Sequence, residues 1–243
     1  MDGSFSSHTA SLREPYADYD GRGVLYFEPK RLQGFVVEAH SMNLQVALHA
    51  IGDQAIEEAL KAYSLAYKKF PYRNLRHRIE HFELPREEHI AQAAKLGVVL
   101  SMQPTFEFLW GGEGRMYERR LGERRRLTNP FRRILDKGLT IAGGSDSFVT
   151  PINPFLGIYS AVSHPNPEER VTLKEAIKMF TINGWYAVGS EKKGGTLELG
   201  RAGDLVILEE DPFNISPEEL PHLSPLMTIA RGKIVYKQPG ISI

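Results

Sequence analysis

The sequence has no cysteine among its 243 residues. Disulfide bonds and thiolate ligands are therefore excluded, and any bound metal must be held by His, Asp or Glu. The formal net charge is zero, so there is no overall attraction to nucleic acid or to an anionic membrane. No apolar run approaches the roughly 20 residues of a membrane-spanning helix, and the start is unlike a signal peptide. We expect a cytoplasmic protein that binds neither nucleic acid nor membrane.

Several signatures of other functions are also missing. The glycines within 111–114 have neither G-x-G-x-x-G nor Walker spacing, so we assign them no phosphate role. No G-x-S-x-G elbow occurs, and Ser145 has no evident base beside it, which argues against a serine hydrolase. The arginine-rich stretch from Arg115 to Arg133 is compatible with a nucleic-acid patch. A solvated helix face is favoured, because its apolar side contains Phe131, Ile134 and Leu135.

A regular alternation of predicted strands and helices fills the middle of the chain. Residues 1–23 are rich in turn formers and are predicted to be loop, and a helix begins at Glu28-Pro29. Strands are predicted at 45–49, 76–82, 98–103 and 139–144, and helices at 53–69, 86–96, 153–163 and 172–188. Strands separated by helices of this length form βαβ units with a parallel sheet. The predicted fold class is therefore α/β.

The pattern changes after Gly194-Gly195. Short strands are predicted at 196–204 and 205–208, and a hairpin over 227–236 turns at Arg231-Gly232-Lys233. The sequence thus divides into residues 1–193 and a β-rich tail, residues 194–243.

Polar side chains that suit a metal stand at the ends of the predicted strands. They are His49, the pair His77 and His81, Gln103 and Asp146. Since strand side chains alternate, His77 and His81 are expected to point the same way. His49, His81 and Asp146 would suit zinc or a similar divalent ion, with one position left open for water. Such an ion lowers the pKa of water toward about 7 and creates a hydroxide nucleophile.

The run from His77 to His81 also fits H-x-x-E-H, the inverted zincin pattern of some proteases. That motif requires a helix, and Leu75, Ile79 and Phe82 do fall at helical spacing. The segment is short, however, and it stands where the alternation requires a strand. A protease is therefore the minor alternative.

Taken in order, several motifs resemble the amidohydrolase superfamily, and more narrowly its YtcJ-like branch (amidohydrolase family 3). They are Asp2-Gly-Ser, His49-Ala-Ile-Gly-Asp53, Arg78-Ile-Glu-His81, Ser101-Met-Gln-Pro104, Gly144-Ser-Asp146, Asn153-Pro-Phe-Leu-Gly157, Thr181-Ile-Asn183 and Gly200-Arg-Ala-Gly-Asp-Leu-Val206. The resemblance implies a TIM (β/α)8 barrel with a small β-sandwich. Residues 1–193 would be a partial barrel, strands five to eight, and residues 194–243 would belong to the sandwich.

The same resemblance implies roles for individual residues. His49, His81 and Asp146 would be metal ligands, most simply of one zinc ion. Asp146 would also be the general base that passes a proton to the leaving nitrogen. His77, Gln103 and Trp110 would lie near a small-molecule substrate. The implied reaction is hydrolysis of an amide, cyclic amide or N-formyl C–N bond.

The sequence also departs from the superfamily pattern. It has no H-x-H pair, and the bridging lysine expected before Asp2 is absent. The chain therefore resembles only the C-terminal half of the barrel. Half a barrel leaves open strand edges, so we expect a homo-oligomer or association with a complementing N-terminal half. The alternatives are a non-catalytic remnant, one half of a split enzyme, and a structural partner that binds through its sheet edges.

Overall fold

The chain forms two separate sheets in the computed structural model, which describes residues 1–71 and 75–240. The first sheet is parallel, and its strands lie side by side in chain order: β1 (Ala47–Ala50), β2 (Arg78–His81), β3 (Val99–Met102) and β4 (Ile141–Gly143). The second sheet is antiparallel and consists of β5 (Leu205–Leu208), β6 (Pro225–Ala230) and β7 (Lys233–Lys237). The predicted α/β class is confirmed.

Helices precede, connect and follow the parallel strands. They are α1 (Pro29–Ser41), α2 (Asp53–Lys69), α3 (Glu87–Leu96), α4 (Pro104–Trp110), α5 (Met116–Leu121), α6 (Phe131–Asp136), α7 (Pro154–Val162), α8 (Leu173–Met179) and α9 (Ile182–Ala187). Short 3-10 turns lie at Gly122–Leu127, Pro167–Glu169 and Pro217–His222. The single helix predicted at 172–188 is two helices, because Thr181 (φ −128°, ψ −103°) leaves the helical conformation between them.

Helix α2 shows why the sequence folds this way. It begins directly after Gly52, and its buried face carries Ile56, Leu60 and Tyr63, each with no exposed surface. These side chains share one core with the helix-facing strand residues Ile79 and Leu100. Burying each such aliphatic side chain contributes about 1.5–3 kcal/mol. The period of the apolar residues therefore fixes which face of α2 covers the sheet.

The C-terminal sheet departs from the prediction in one place. The hairpin is confirmed: Arg231 (φ 50°) and Gly232 (φ 74°) form the tight connection between β6 and β7. The strand predicted at 196–204 is wrong. Gly195 (φ 90°) and Gly200 (φ 83°) take left-handed conformations that interrupt an extended segment there.

Two other predictions concern the N-terminal loop and the zincin motif. Residues 1–23 contain neither helix nor strand, as predicted. The inverted zincin alternative is wrong, because the residues from Arg78 to His81 are strand β2 and not helix. Within residues 1–71 and 75–240, no helix combines the length and the apolarity needed to cross a membrane.

Candidate active site

A cavity of about 230 Å³ opens beyond the carboxyl ends of the parallel strands. His49 from β1, His81 from β2 and Asp146 from the loop after β4 all line it. Much of the remaining wall is apolar or aromatic, formed by Phe5, Ile51, Phe106, Trp110, Met116 and Tyr117. The carboxyl ends of parallel strands are where α/β enzymes place catalytic side chains.

His49 and His81 lie next to each other in this cavity. Their ring centroids are 4.5 Å apart, and the planes are tilted by 63°. Burial, together with the neighbouring His49 ring, lowers the pKa of His81 to about 3. At neutral pH His81 is therefore an uncharged imidazole with a free electron pair. Its buried Nδ1 has no hydrogen-bond partner and lies 3.7 Å from Oε1 of Glu83.

Asp146 faces the same cavity from its mouth. It follows β4 in a left-handed conformation (φ 49°) and its side chain is exposed. No three His, Cys, Asp or Glu side chains in the described ranges are close enough together to hold a metal ion. Two imidazoles and a carboxylate are the donor types that zinc takes, so the chemistry fits a divalent ion while the ligand set is incomplete.

Asp2 is a member of this region that sequence reasoning missed. Its carboxylate is fully buried and approaches the His49 ring, with Oδ1 3.2 Å from Nδ1. The Asp2-Gly3-Ser4 motif was visible in the sequence, but nothing in its spacing indicates a contact with a residue 47 positions away.

Glu83 is a second buried carboxyl in the cavity wall that the sequence did not reveal. Tyr117 donates its hydroxyl hydrogen to this side chain, and Glu83 is only 2% exposed. Burial raises the pKa of Glu83 to about 8, so the group is mostly protonated at neutral pH. A carboxylic acid two residues after a strand-end histidine has no pattern that separates it from a surface glutamate.

His77 does not lie with His81, so the prediction that the two point the same way is wrong. The His77 ring is fully buried, stacks on Tyr63 at 4.8 Å and bonds to His40, on the helical side of the sheet. The physical reason is at His81, where φ is 75°. This conformation ends the strand alternation on which the prediction depended. His77 is therefore buried in the core and is not among the residues that line this cavity, and its place near substrate stays a prediction.

The other two residues predicted near substrate differ from each other. Trp110 lines the cavity, and its ring meets Phe106 at a centroid distance of 4.6 Å. Gln103 is buried at the start of α4, where its Oε1 has no hydrogen-bond partner. Its Nε2 lies 3.4 Å from the carbonyl oxygen of Ser101. Gln103 is not among the residues that line the cavity.

Comparison with known proteins decides the family. The sequence profile of the Amidohydrolase family (Amidohydro_3) matches residues 1–236. The chain belongs to this family. YtcJ of Bacillus subtilis, an amidohydrolase by name, is 34% identical over 98% of the chain, and the match covers 46% of YtcJ. The N-substituted formamide deformylase of Arthrobacter pascens is 28% identical over 90% of the chain and 41% of the relative.

Solved structures of metal-dependent hydrolases are similar to this fold. An uncharacterized metal-dependent hydrolase from Pyrococcus horikoshii superposes with a TM-score of 0.77 at 28% identity, covering 89% of this chain and 44% of that one. A second one, from Pyrococcus furiosus, gives 0.71 at 30% identity, over 82% of this chain and 41% of that one. The chain thus spans less than half the length of these relatives and solved structures.

Proposed function

We propose that this chain carries part of the active site of a metal-dependent hydrolase of C–N bonds in amides, cyclic amides or N-formyl groups. The observation that carries the proposal is the cavity in which His49 and His81 lie 4.5 Å apart, with Asp146 in the same wall. Membership of the Amidohydrolase family supports the reaction class. The similarity to an N-substituted formamide deformylase supports the N-formyl option.

In this proposal His49, His81 and Asp146 hold one divalent ion, most simply zinc. Such an ion lowers the pKa of water to about 7 and so supplies hydroxide at neutral pH. His81 suits this role because burial keeps its imidazole uncharged, and its Nδ1 has no competing hydrogen bond. Asp146 is exposed at the cavity mouth, where its carboxylate takes a proton from the attacking water and returns it to the leaving nitrogen.

The remaining wall positions the substrate and excludes water. Phe106 and Trp110 form an edge-to-face pair that suits an apolar substituent, with Tyr117 on the neighbouring wall. Trp110 keeps its predicted role near substrate, and Gln103, buried at the start of α4, keeps its predicted place near substrate as part of the proposal. The substrate is therefore a small molecule with an apolar group beside its C–N bond.

We further propose that this chain corresponds to strands five to eight of a barrel and needs another polypeptide segment for activity. Two observations support this: the chain spans less than half of its relatives, and its three donors do not come together as a metal group. Within the described residues β1 and β4 each pair on one side only, which leaves edges for a second copy or for a complementing N-terminal half. The division at residue 193 and the sandwich role of the tail stay predictions.

The test has two readouts. Titration of the protein with zinc, followed by calorimetry, should show one site in the wild type, and at least a 100-fold weaker site in His81→Ala, which loses a ligand. Hydrolysis of a panel of amides, cyclic amides and N-formyl amines should then require zinc. We expect turnover to increase when a segment equivalent to the relatives' N-terminal half is added.

Two results would contradict the proposal. Equal zinc affinity in the wild type and His81→Ala would remove the metal site. Zinc binding without turnover, in the presence of the added segment, would favour the alternative, a non-catalytic remnant. His77→Gln is the matched control, because it removes a buried histidine directly before the same strand and outside the cavity lining, and it should leave zinc affinity unchanged.

A further inference from the structure

Asp2 occupies a site built from backbone donors. The amides of Ser11 and Gly52 donate to its Oδ2, both at 2.9 Å, and the amide of Ile51 donates to Oδ1 at 3.2 Å. The same Oδ1 lies 3.2 Å from Nδ1 of His49. The carboxylate therefore meets three backbone groups that can only donate, and it bridges the N-terminal loop and the turn before α2.

Close backbone approach fixes this carboxylate in place. A Cβ at Gly52 would lie 2.0 Å from the carbonyl oxygen of Ser11, and a Cβ at Gly3 would lie 1.9 Å from Oγ1 of Thr9. Neither position accepts a larger residue without movement of the loop. The glycines of Asp2-Gly3-Ser4 and Gly52-Asp53 thus let the loop approach β1 closely enough for Asp2 to reach His49.

The contact determines which nitrogen of His49 carries the proton. An ionised carboxylate accepts hydrogen bonds and donates none, so Nδ1 of a neutral His49 must be the protonated nitrogen. Its electron pair is then on Nε2. We propose that Asp2 is the positioning residue of this site: it holds His49 in the Nδ1–H form and orients Nε2 for a metal ion. This inference rests on the proposed function, in which His49 is a ligand.

The first test is nuclear magnetic resonance on metal-free protein labelled with 15N-histidine. Two-bond 1H–15N correlations distinguish the two tautomers, and the His49 signals are identified by their loss in His49→Gln. We expect the wild type to show protonated Nδ1 and unprotonated Nε2, and Asp2→Asn to show a mixture of tautomers. A wild type with protonated Nε2 overturns the proposal, even if Asp2→Asn does not fold.

Asp53→Asn is the matched control. Asp53 is also a buried carboxylate near the start of α2, but it accepts from the amide of Arg13 and from Nε of Arg86, at 2.9 and 2.8 Å. Its loss should leave the His49 tautomer unchanged. If Asp53→Asn shifts the tautomer as much as Asp2→Asn does, Asp2 acts only through general stability and the proposal fails.

The second test measures zinc affinity by calorimetry in the same proteins. Loss of a carboxylate that orients a histidine ligand weakens metal binding by about 10- to 100-fold, and we expect this for Asp2→Asn. Asp53→Asn should bind zinc like the wild type. If the wild type binds no zinc, the proposed function fails, while the tautomer measurement still decides the role of Asp2. If Asp2→Asn binds zinc as tightly as the wild type, the positioning role is wrong.

Discussion

His77 and His81 lie four residues apart around the same strand, yet their surroundings differ in kind. Both are buried, and burial lowers the pKa of each, to about 4 for His77 and about 3 for His81. His77 has a partner at each nitrogen: Val46 donates to Nδ1 at 3.0 Å, and Nε2 lies 2.8 Å from Nδ1 of His40. His81 keeps a buried Nδ1 without a hydrogen bond and faces a cavity.

This difference separates a histidine whose ring is fully hydrogen-bonded in the core from one whose ring faces the cavity. Because Val46 donates to Nδ1 of His77, Nε2 of a neutral His77 carries the hydrogen and donates it to His40. Every polar atom of that ring is satisfied inside the core. A buried nitrogen without a partner costs free energy unless a ligand satisfies it. The hydrogen bonds of the two rings therefore distinguish His77 from His81, whereas their burial and pKa values do not.

The largest effect on stability is expected at the His77 end. His77→Ala removes a fully buried ring and two hydrogen bonds, so the free energy of unfolding should fall by about 3 kcal/mol. Urea unfolding followed by circular dichroism measures the loss. His81→Ala is the comparison and should cost only about 1 kcal/mol, since its ring already borders a cavity. Equal losses would remove the distinction.

A smaller effect is expected at Glu83, on the cavity side of β2. Its raised pKa means that folding favours the protonated form, so stability is full below about pH 4.5 and is lost as pH rises through about 8. Glu83→Gln removes this loss, so its advantage over the wild type should grow by about 1.4 kcal/mol per pH unit within this window and be largest at pH 9. Unfolding at pH 4 is the control, where the advantage should vanish. An advantage of equal size at both pH values would contradict the assignment.

The free energy of unfolding at acid pH should also depend on these two histidines. Because both pKa values are lowered, the contribution of each histidine to stability is full above about pH 6.5. It decreases as the pH falls from about 6.5 to the pKa of the folded state, which is about 4 for His77 and about 3 for His81. Each contributes a slope of about 1.4 kcal/mol per pH unit within its window. Urea unfolding of His77→Gln between pH 3 and 7 should lack one such slope, and a profile parallel to the wild type would contradict this.

The smallest effect is expected for Tyr63→Phe. The Tyr63 hydroxyl donates to backbone oxygens at Arg78 and Val46, and the ring stacks on His77. Loss of the hydroxyl should cost about 1 kcal/mol in urea unfolding. Zinc affinity should stay at the wild-type value, because the contact lies at the His77 end of the strand. A change in zinc affinity would show that the two ends of β2 are coupled.

The sequence predicted the parallel sheet well because apolar period and turn residues act locally. Helix α2 has the bounds that were predicted, 53–69, and all four parallel strands exist within a few residues of their predicted positions. Strand ends then pointed to His49, His81 and Asp146, which all line one cavity. Their role as metal ligands stays a prediction, as does the association of the chain.

Two predictions failed where the backbone conformation of a single residue determines which way a side chain points or whether a strand continues. Alternation would have placed His77 beside His81, but the left-handed conformation of His81 ends that pattern. The strand expected at 196–204 fails for the same kind of reason, at Gly195 and Gly200. Asp2 was missed for another reason. Its partners lie about 50 positions away, and no local pattern carries a contact of that range.

The contacts of the buried Asp2 carboxylate form only when a long stretch of chain has closed. Strand β1 and helix α2 are adjacent in the chain, whereas the loop that brings Asp2 must close over 47 residues to reach His49. The amides of Ser11, Ile51 and Gly52 are protected only when that closure is complete. Hydrogen exchange at these three amides therefore reports the opening of the site itself. We expect them to exchange faster than the amides of α2, which need no such closure.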